Sequence, residues 1–181
     1  MKNIINNAKR FPLIVAEIGQ AHEGSVGLAH SFIDAIADCG ADAVKFQCHL
    51  SEFESSKYDK FRKKIRYLND KTRYDYWKRM EFTKNQWKDL FTHCRDLGIN
   101  IIVSPFSHYA VDICSKYGVT SFKLGSGETN NHKLIQHAGE KGEEIILSTG
   151  MSSWSEIENA IKSLQHVCSN IYVLQCTSKY P

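Results

Sequence analysis

Six apolar runs of strand length recur along the chain, separated by amphipathic stretches of helix length. This alternation limits what the chain can build more than any other feature. The runs are LIVAEIG (Leu13–Gly19), DAVKFQ (Asp42–Gln47), INIIVS (Ile99–Ser104), TSFKLG (Thr120–Gly125), EIILST (Glu144–Thr149) and NIYVLQC (Asn170–Cys176). Helical periodicity falls near Val26–Cys39, Thr83–Leu97, Ala110–Tyr117, His132–Lys141 and Trp154–Val167. Thr83 is expected to cap the second helix, and Ser153 with Glu156 forms a capping-box pattern at the last. Glycines stand at four helix ends (Gly40, Gly98, Gly118, Gly142), where left-handed C-caps are expected. Apolar strands separated by helices predict a parallel sheet covered by helices, the α/β class.

One segment breaks the rhythm. His49 to Phe82 is too long for a simple βα loop and is rich in charge and aromatics, as in TRYDYWKRMEF. Short helices are expected in it, and it is expected to lie over the end of the sheet as a lid, a substrate-contacting excursion or a structural insertion. Its basic run KYDKFRKKIRY (Lys57–Tyr67) reads as a solvated face, with substrate steering as the other reading. A net charge of +3 gives no general case for nucleic-acid binding. No window approaches the ~18 consecutive apolar residues of a membrane helix, and the polar start MKNIINNAKR does not read as a secretory signal. The six cysteines form no C-x-x-C pair and mostly sit in apolar surroundings, which predicts buried reduced thiols in a cytoplasmic protein.

Each strand run carries chemically capable residues toward its C-terminal side. The first has Glu17 and then Gln20, His22 and Glu23; the second has Lys45 and Gln47; the third has Ser104. The fourth has Lys123 followed by Ser126 and Glu128, the fifth Ser148 and Thr149, the sixth Gln175, Thr177, Ser178 and Tyr180. Sites in parallel α/β folds form at the carboxyl ends of strands. A buried ammonium without a partner costs several kcal/mol. Lys45 and Lys123 therefore either pair structurally with Glu17 and Glu128 or form, with the Gly125–Gly127 backbone, a cradle for an anion. A weak repeat, GADAVKF against GVTSFKL, places the two lysines at corresponding depths in their strands.

The motifs AEIGQAHEGS, GADAVKFQ, SPF, FKLGSGE, ILSTGMSS and LQCTSKYP, in this order, resemble the N-acetylneuraminate (sialic acid) synthase family. That family includes legionaminic and pseudaminic acid synthases and spore-coat polysaccharide relatives. The resemblance implies a TIM-type (β/α)8 barrel, here about its first six strands and five helices. It implies condensation of phosphoenolpyruvate with an open-chain N-acetylated amino sugar, of the N-acetylmannosamine type, to a nine-carbon sialic-type acid and phosphate. By motif, Lys45, Ser104, Lys123, Ser126 and Ser148 resemble residues that hold phosphoenolpyruvate. Glu17 resembles the acidic residue beside the reacting carbons, and Gln47, Glu128, Ser178 and Tyr180 resemble substrate contacts. Glu17, Lys45 and Lys123 are the implied catalytic set. A divalent metal, manganese or magnesium, is implied as a Lewis acid on the sugar aldehyde.

The sequence departs from the family pattern in two respects. Gln175 stands where the family usually has histidine, and Ser178 stands near a position usually occupied by asparagine, which bears on the sugar's identity. Residues 1–181 are expected to form only the N-terminal part of the barrel. The two later metal-binding histidines and the C-terminal antifreeze-like domain would lie outside it, so no metal ligand is assigned in this chain. A homodimer is expected for a full-length form. Two other readings stay open: a Schiff-base pyruvate aldolase using Lys123 or Lys45, and an inactive remnant that binds a partner through exposed strand edges.

Overall fold

The computed structural model describes residues 4–5, 12–61 and 68–179. Six strands form one parallel sheet in the order β1 to β6: β1 (Val15–Gly19), β2 (Ala43–Cys48), β3 (Asn100–Pro105), β4 (Ser121–Leu124), β5 (Glu144–Ser148) and β6 (Ile171–Leu174). Consecutive parallel neighbours joined by helices are the topology of a (β/α) barrel wall. The helices are α1 (Val26–Asp38), α2 (Ser51–Glu54), α3 (Arg73–Met80), α4 (Lys84–Asp96), α5 (His108–Lys116), α6 (His132–Lys141) and α7 (Trp154–Gln165). All five expected helices are present. The long excursion adds α2 and α3, the short helices expected there.

The strands alternate, apart from a register shift in β1 between Glu17 and Gly19, and this splits the apolar residues into two cores. Val44, Phe46, Ile101, Val103, Phe122, Leu124, Ile145 and Leu147 face the helices and join Trp87, Leu90, Phe91 and Ile135 in the main core. On the opposite face Ala43, Ile102 and Ile146 pack with Ile4, beside Ile5, Leu13, Val15 and Tyr172. That second, smaller cluster forms the floor at the N-terminal ends of the strands. Strands expected to be apolar are thus mixed on the inner face: Ile102 and Ile146 lie level with Lys45 and Lys123, and Gln47, Ser104 and Ser148 follow toward the strand ends.

Local signals explain most boundaries. Thr83 caps α4 in a full capping box with Gln86, and Ser153 does the same for α7 with Glu156. Thr72 with Asp75 forms a third box, at α3. Gly40, Gly98 and Gly118 take φ of 70°, 70° and 86°, as left-handed caps. Gly142 does not: its φ is −95° and it is extended. Its lack of a side chain serves packing, since a Cβ there would stand 3.0 Å from the Phe122 ring.

The excursion closes over the ends of β1 to β3. Arg79 of α3 bonds Asp70 at 2.9 Å and reaches Glu23, in the loop after β1, at 3.2 Å. Ser51 gives its N–H and hydroxyl to Glu81, each at 3.0 Å. The basic run Lys57–Tyr67 falls partly outside the described residues.

Candidate functional site

Glu17, Lys45 and Lys123 are each the third residue of their strand, so all three point to the inner, polar face. Glu17 and Lys45 are direct cross-strand partners and form an ion pair. The corresponding depth read from the sequence holds within each strand. Across the sheet, however, the lysines are staggered: Lys45 is level with Ile102, whereas Val103 pairs with Phe122, which puts Lys123 level with Ser104. Such stagger accompanies strand tilt in a barrel.

Gln47 pairs with Ser104, two residues further along the same face as Lys45. Ser104 and Ser148 are buried. Burial, and then the neighbouring Lys123 ammonium, lowers the Lys45 pKa to about 8. Burial also lowers that of Lys123, against the influence of Cys176. Two partly buried cations on one wall repel each other, and among the described residues Glu17 is the carboxylate ion-paired on that wall. An anionic ligand would relieve that imbalance.

Three strand-end loops meet at Gly150. A Cβ there would stand 2.5 Å from Ser178 Oγ, 3.3 Å from Cys176 Cβ and 3.5 Å from Ser126 Cβ, so its hydrogen side chain lets β4, β5 and β6 loops converge. The Ser126–Glu128 segment winds into one 3-10 turn. Its glycines are not there for their dihedrals, since Gly125 has φ −66°. A Cβ on Gly125 or Gly127 would meet nothing within 4 Å, so both border open space that a ligand can approach. The Glu128 N–H, next to the expected Gly125–Gly127 cradle, is given to Gly125 O. The Glu128 carboxylate accepts from Asn131 Nδ2 at 2.8 Å and so also braces the start of α6. Ser178 lies exposed at the rim, and Tyr180 falls outside the described residues.

Two residues of this neighbourhood carried no site role in the sequence reading. Cys176 is half-buried, not buried, and Cys39 is exposed, which corrects the expectation for these two thiols. A hydrogen bond with Ser148 lowers the Cys176 pKa, helped by the Thr149 and Gly150 backbone and the Lys123 charge. His49, just past β2, reaches Gln47; its only sequence signal was its spacing from Gln47. His22, by contrast, is structural. Its Nδ1 accepts the Gly24 N–H at 3.0 Å, and burial lowers its pKa. A cavity of about 520 Å³ lies elsewhere, lined by Lys57, Tyr58, Phe61 and Asp70 in the excursion.

Among the described residues, no group of three or more His, Cys, Asp or Glu side chains is placed to hold a metal ion. The divalent metal implied by the resemblance has no ligand set here, and no step below is routed through one. No helix among the described residues is long and apolar enough to cross a membrane.

Comparison with known proteins gives a consistent result. A family model described as the NeuB family matches residues 32–181. The chain is 32% identical over 169 residues to the mouse N-acetylneuraminate-9-phosphate synthase, covering 93% of this chain and 47% of that protein. It is 34% identical over 177 residues to the N,N'-diacetyllegionaminic acid synthase of Campylobacter jejuni, covering 93% and 52%. The crystal structure of the N-acetylneuraminic acid (sialic acid) synthetase from Leptospira borgpetersenii, in complex with citrate, superposes with a TM-score of 0.77 at 30% identity, over 93% of this chain and 55% of that one. The chain thus spans about half the length of the relatives it matches.

Proposed function

The chain belongs to the NeuB family, and from that premise we propose that it forms the phosphoenolpyruvate-holding part of a sialic-acid-type synthase. The partner substrate is the aldehyde form of an N-acetylated amino sugar. The observation that carries this reading is the pair of partly buried lysines, Lys45 and Lys123, on one polar wall with Glu17, Gln47, Ser104 and Ser148.

In this reading the two ammonium groups and the serine hydroxyls neutralise and orient the phosphate and carboxylate of phosphoenolpyruvate. C3 of the enol then forms a bond to the aldehyde carbon, whose oxygen takes up a proton. Positive charge develops at C2, and Glu17, held across from Lys45, stabilises it. Water adds to C2, giving up a proton, and phosphate leaves as the C2 carbonyl forms. The lysines remain non-covalent throughout. Ser126 is assigned with Ser104 and Ser148 to phosphoenolpyruvate, and Glu128, Ser178 and Tyr180 to the sugar end and rim. A divalent metal contributed from outside these residues belongs to the same proposal.

A Schiff-base reading draws on one observation: a lysine lowered to about 8 has more of the neutral amine that imine formation needs. Borohydride trapping with pyruvate separates the two. A covalent adduct on Lys45 or Lys123 supports the aldolase, and no adduct supports non-covalent lysines. The direct test is phosphate release from phosphoenolpyruvate with manganese and a panel of N-acetylated hexosamines. The panel is run on residues 1–181 and on a form extended through two further βα units. Release that depends on one sugar and is lost in Lys123→Ala supports the synthase. No release in either form overturns it, and concentration-dependent association without phosphoenolpyruvate binding would then favour the partner-binding reading.

A further inference from the structure

His49 is a buried titratable side chain that the proposed chemistry does not use. It lies one residue past β2, and its ring is sandwiched between two others. Trp77 of α3 stacks at 3.7 Å between centroids with planes 8° apart, and Phe106, just past β3, at 4.1 Å and 11°. Its Nδ1 sits 2.9 Å and 3.0 Å from the two oxygens of Glu54, and its Nε2 sits 3.2 Å from Gln47 Oε1. Gln47 Oε1 also receives Gln20 Nε2–H at 3.3 Å.

These contacts set which atoms donate around the ring. A carboxylate only accepts, so Nδ1 keeps its hydrogen. The Gln47 oxygen also accepts, so at this contact Nε2 is the donor. Two features favour hydrogens on both ring nitrogens. Glu54 is buried, and a buried carboxylate needs a cation; among the described residues its ion-pair partner is His49. Two aromatic faces enclose the ring and attract a cation. With its oxygen taken by two donors, Gln47 leaves its amide nitrogen free. That nitrogen and Glu17 Oε1 each lie 3.5 Å from where a Cβ on Gly19 would stand, on the face shared with Lys45 and Ser104.

We propose that His49, clamped between Trp77 and Phe106 and hydrogen-bonded to Glu54, is a positioning residue. It locks the Gln47 amide with its N–H groups toward the cleft, as donors to an anionic oxygen of the bound substrate. The substrate part rests on the phosphoenolpyruvate reading above; the locking part does not.

Histidine ring ¹⁵N–¹H spectra of the whole chain test the lock without any ligand, with the His49 signals assigned by their loss in His49→Phe. Both ring nitrogens protonated at neutral pH is the expected result. A bare Nε2 would mean that the amide is turned the other way, and it overturns the proposal. Phosphoenolpyruvate titration then tests the consequence. His49→Phe keeps a ring in the stack but removes both hydrogen bonds, and binding is expected to weaken about tenfold. Should Glu54, left buried without a partner, unfold that variant, the double variant His49→Phe/Glu54→Leu removes the stranded charge and is titrated in its place. Affinity within about twofold of the unaltered chain in a folded variant, while Gln47→Ala weakens binding, overturns the proposal. A doubly protonated ring in a chain that binds no phosphoenolpyruvate supports the lock and overturns the anion-site reading.

Discussion

Lys45 and Lys123 share one wall, and each is held below the ordinary lysine value mainly by burial. An anion stabilises the charged form, so phosphoenolpyruvate affinity is complete below pH about 8 and falls as pH rises through that value, approaching about tenfold per unit. Calorimetric titration between neutral and alkaline pH reads this, and a flat profile counts against Lys45 as an anion contact. Because the Lys123 charge is the second cause of the shift, Lys123→Met is expected to move the midpoint upward. His22 gives the opposite kind of pH dependence, on stability. Its folded pKa lies below its ordinary 6.5, so its contribution is complete above 6.5 and is lost as pH falls toward the folded value. Urea midpoints below pH 6.5 should therefore decline less steeply in His22→Asn than in the unaltered chain. Equal slopes would remove His22 as a source of acid sensitivity.

At the scale of elements, the β1 loop and α3 meet at a single tight point. Gly24 has φ +79°, and a Cβ on it would fall 2.2 Å from the Arg79 carbonyl oxygen. Gly24→Ala combines left-handed strain with a backbone clash and is expected to cost about 3 kcal/mol and loosen α3. Denaturant unfolding measures the cost, and protease sensitivity between α2 and α3 reads the loosening. Ser153→Ala removes the side-chain half of a capping box remote from that point. It should cost about 1 kcal/mol and leave phosphoenolpyruvate affinity unchanged. Such caps were legible in the sequence because their hydrogen bonds span three residues. The packing role of Gly142 was not, because it depends on Phe122, twenty positions away and on another strand. Nor was the His49 sandwich, which is assembled from Trp77 and Phe106 only once α3 crosses the ends of the strands. Lys45 and Lys123 were legible for a different reason: an ammonium inside an apolar run is anomalous whatever surrounds it.

For the whole molecule, strand order followed from the alternation of runs, but the division of each strand into a helix-facing and a floor-facing set required the register. Glu144 shows the difference. As the first residue of β5 it reads as a polar strand start, yet it is fully buried at the floor. There its carboxylate accepts the N–H groups of Ile4 and Ile5, at 3.2 Å and 3.0 Å, and the Ser121 hydroxyl at 2.6 Å. One side chain thus ties the start of the chain to β4 and β5, and seats Ile4 against Ala43, Ile102 and Ile146. Glu144→Ala strands two buried donors, each worth roughly 1–3 kcal/mol when left unpaired, and a part-buried one, and frees Ile4 from the floor. A loss of about 4 kcal/mol is expected, read by urea unfolding, together with faster proteolysis near the N-terminus. Glu144→Gln keeps the volume and one acceptor, so it should fall between the two. If Glu144→Ala left both stability and N-terminal protection intact, the floor would be held by its apolar contacts and the carboxylate clasp would be incidental.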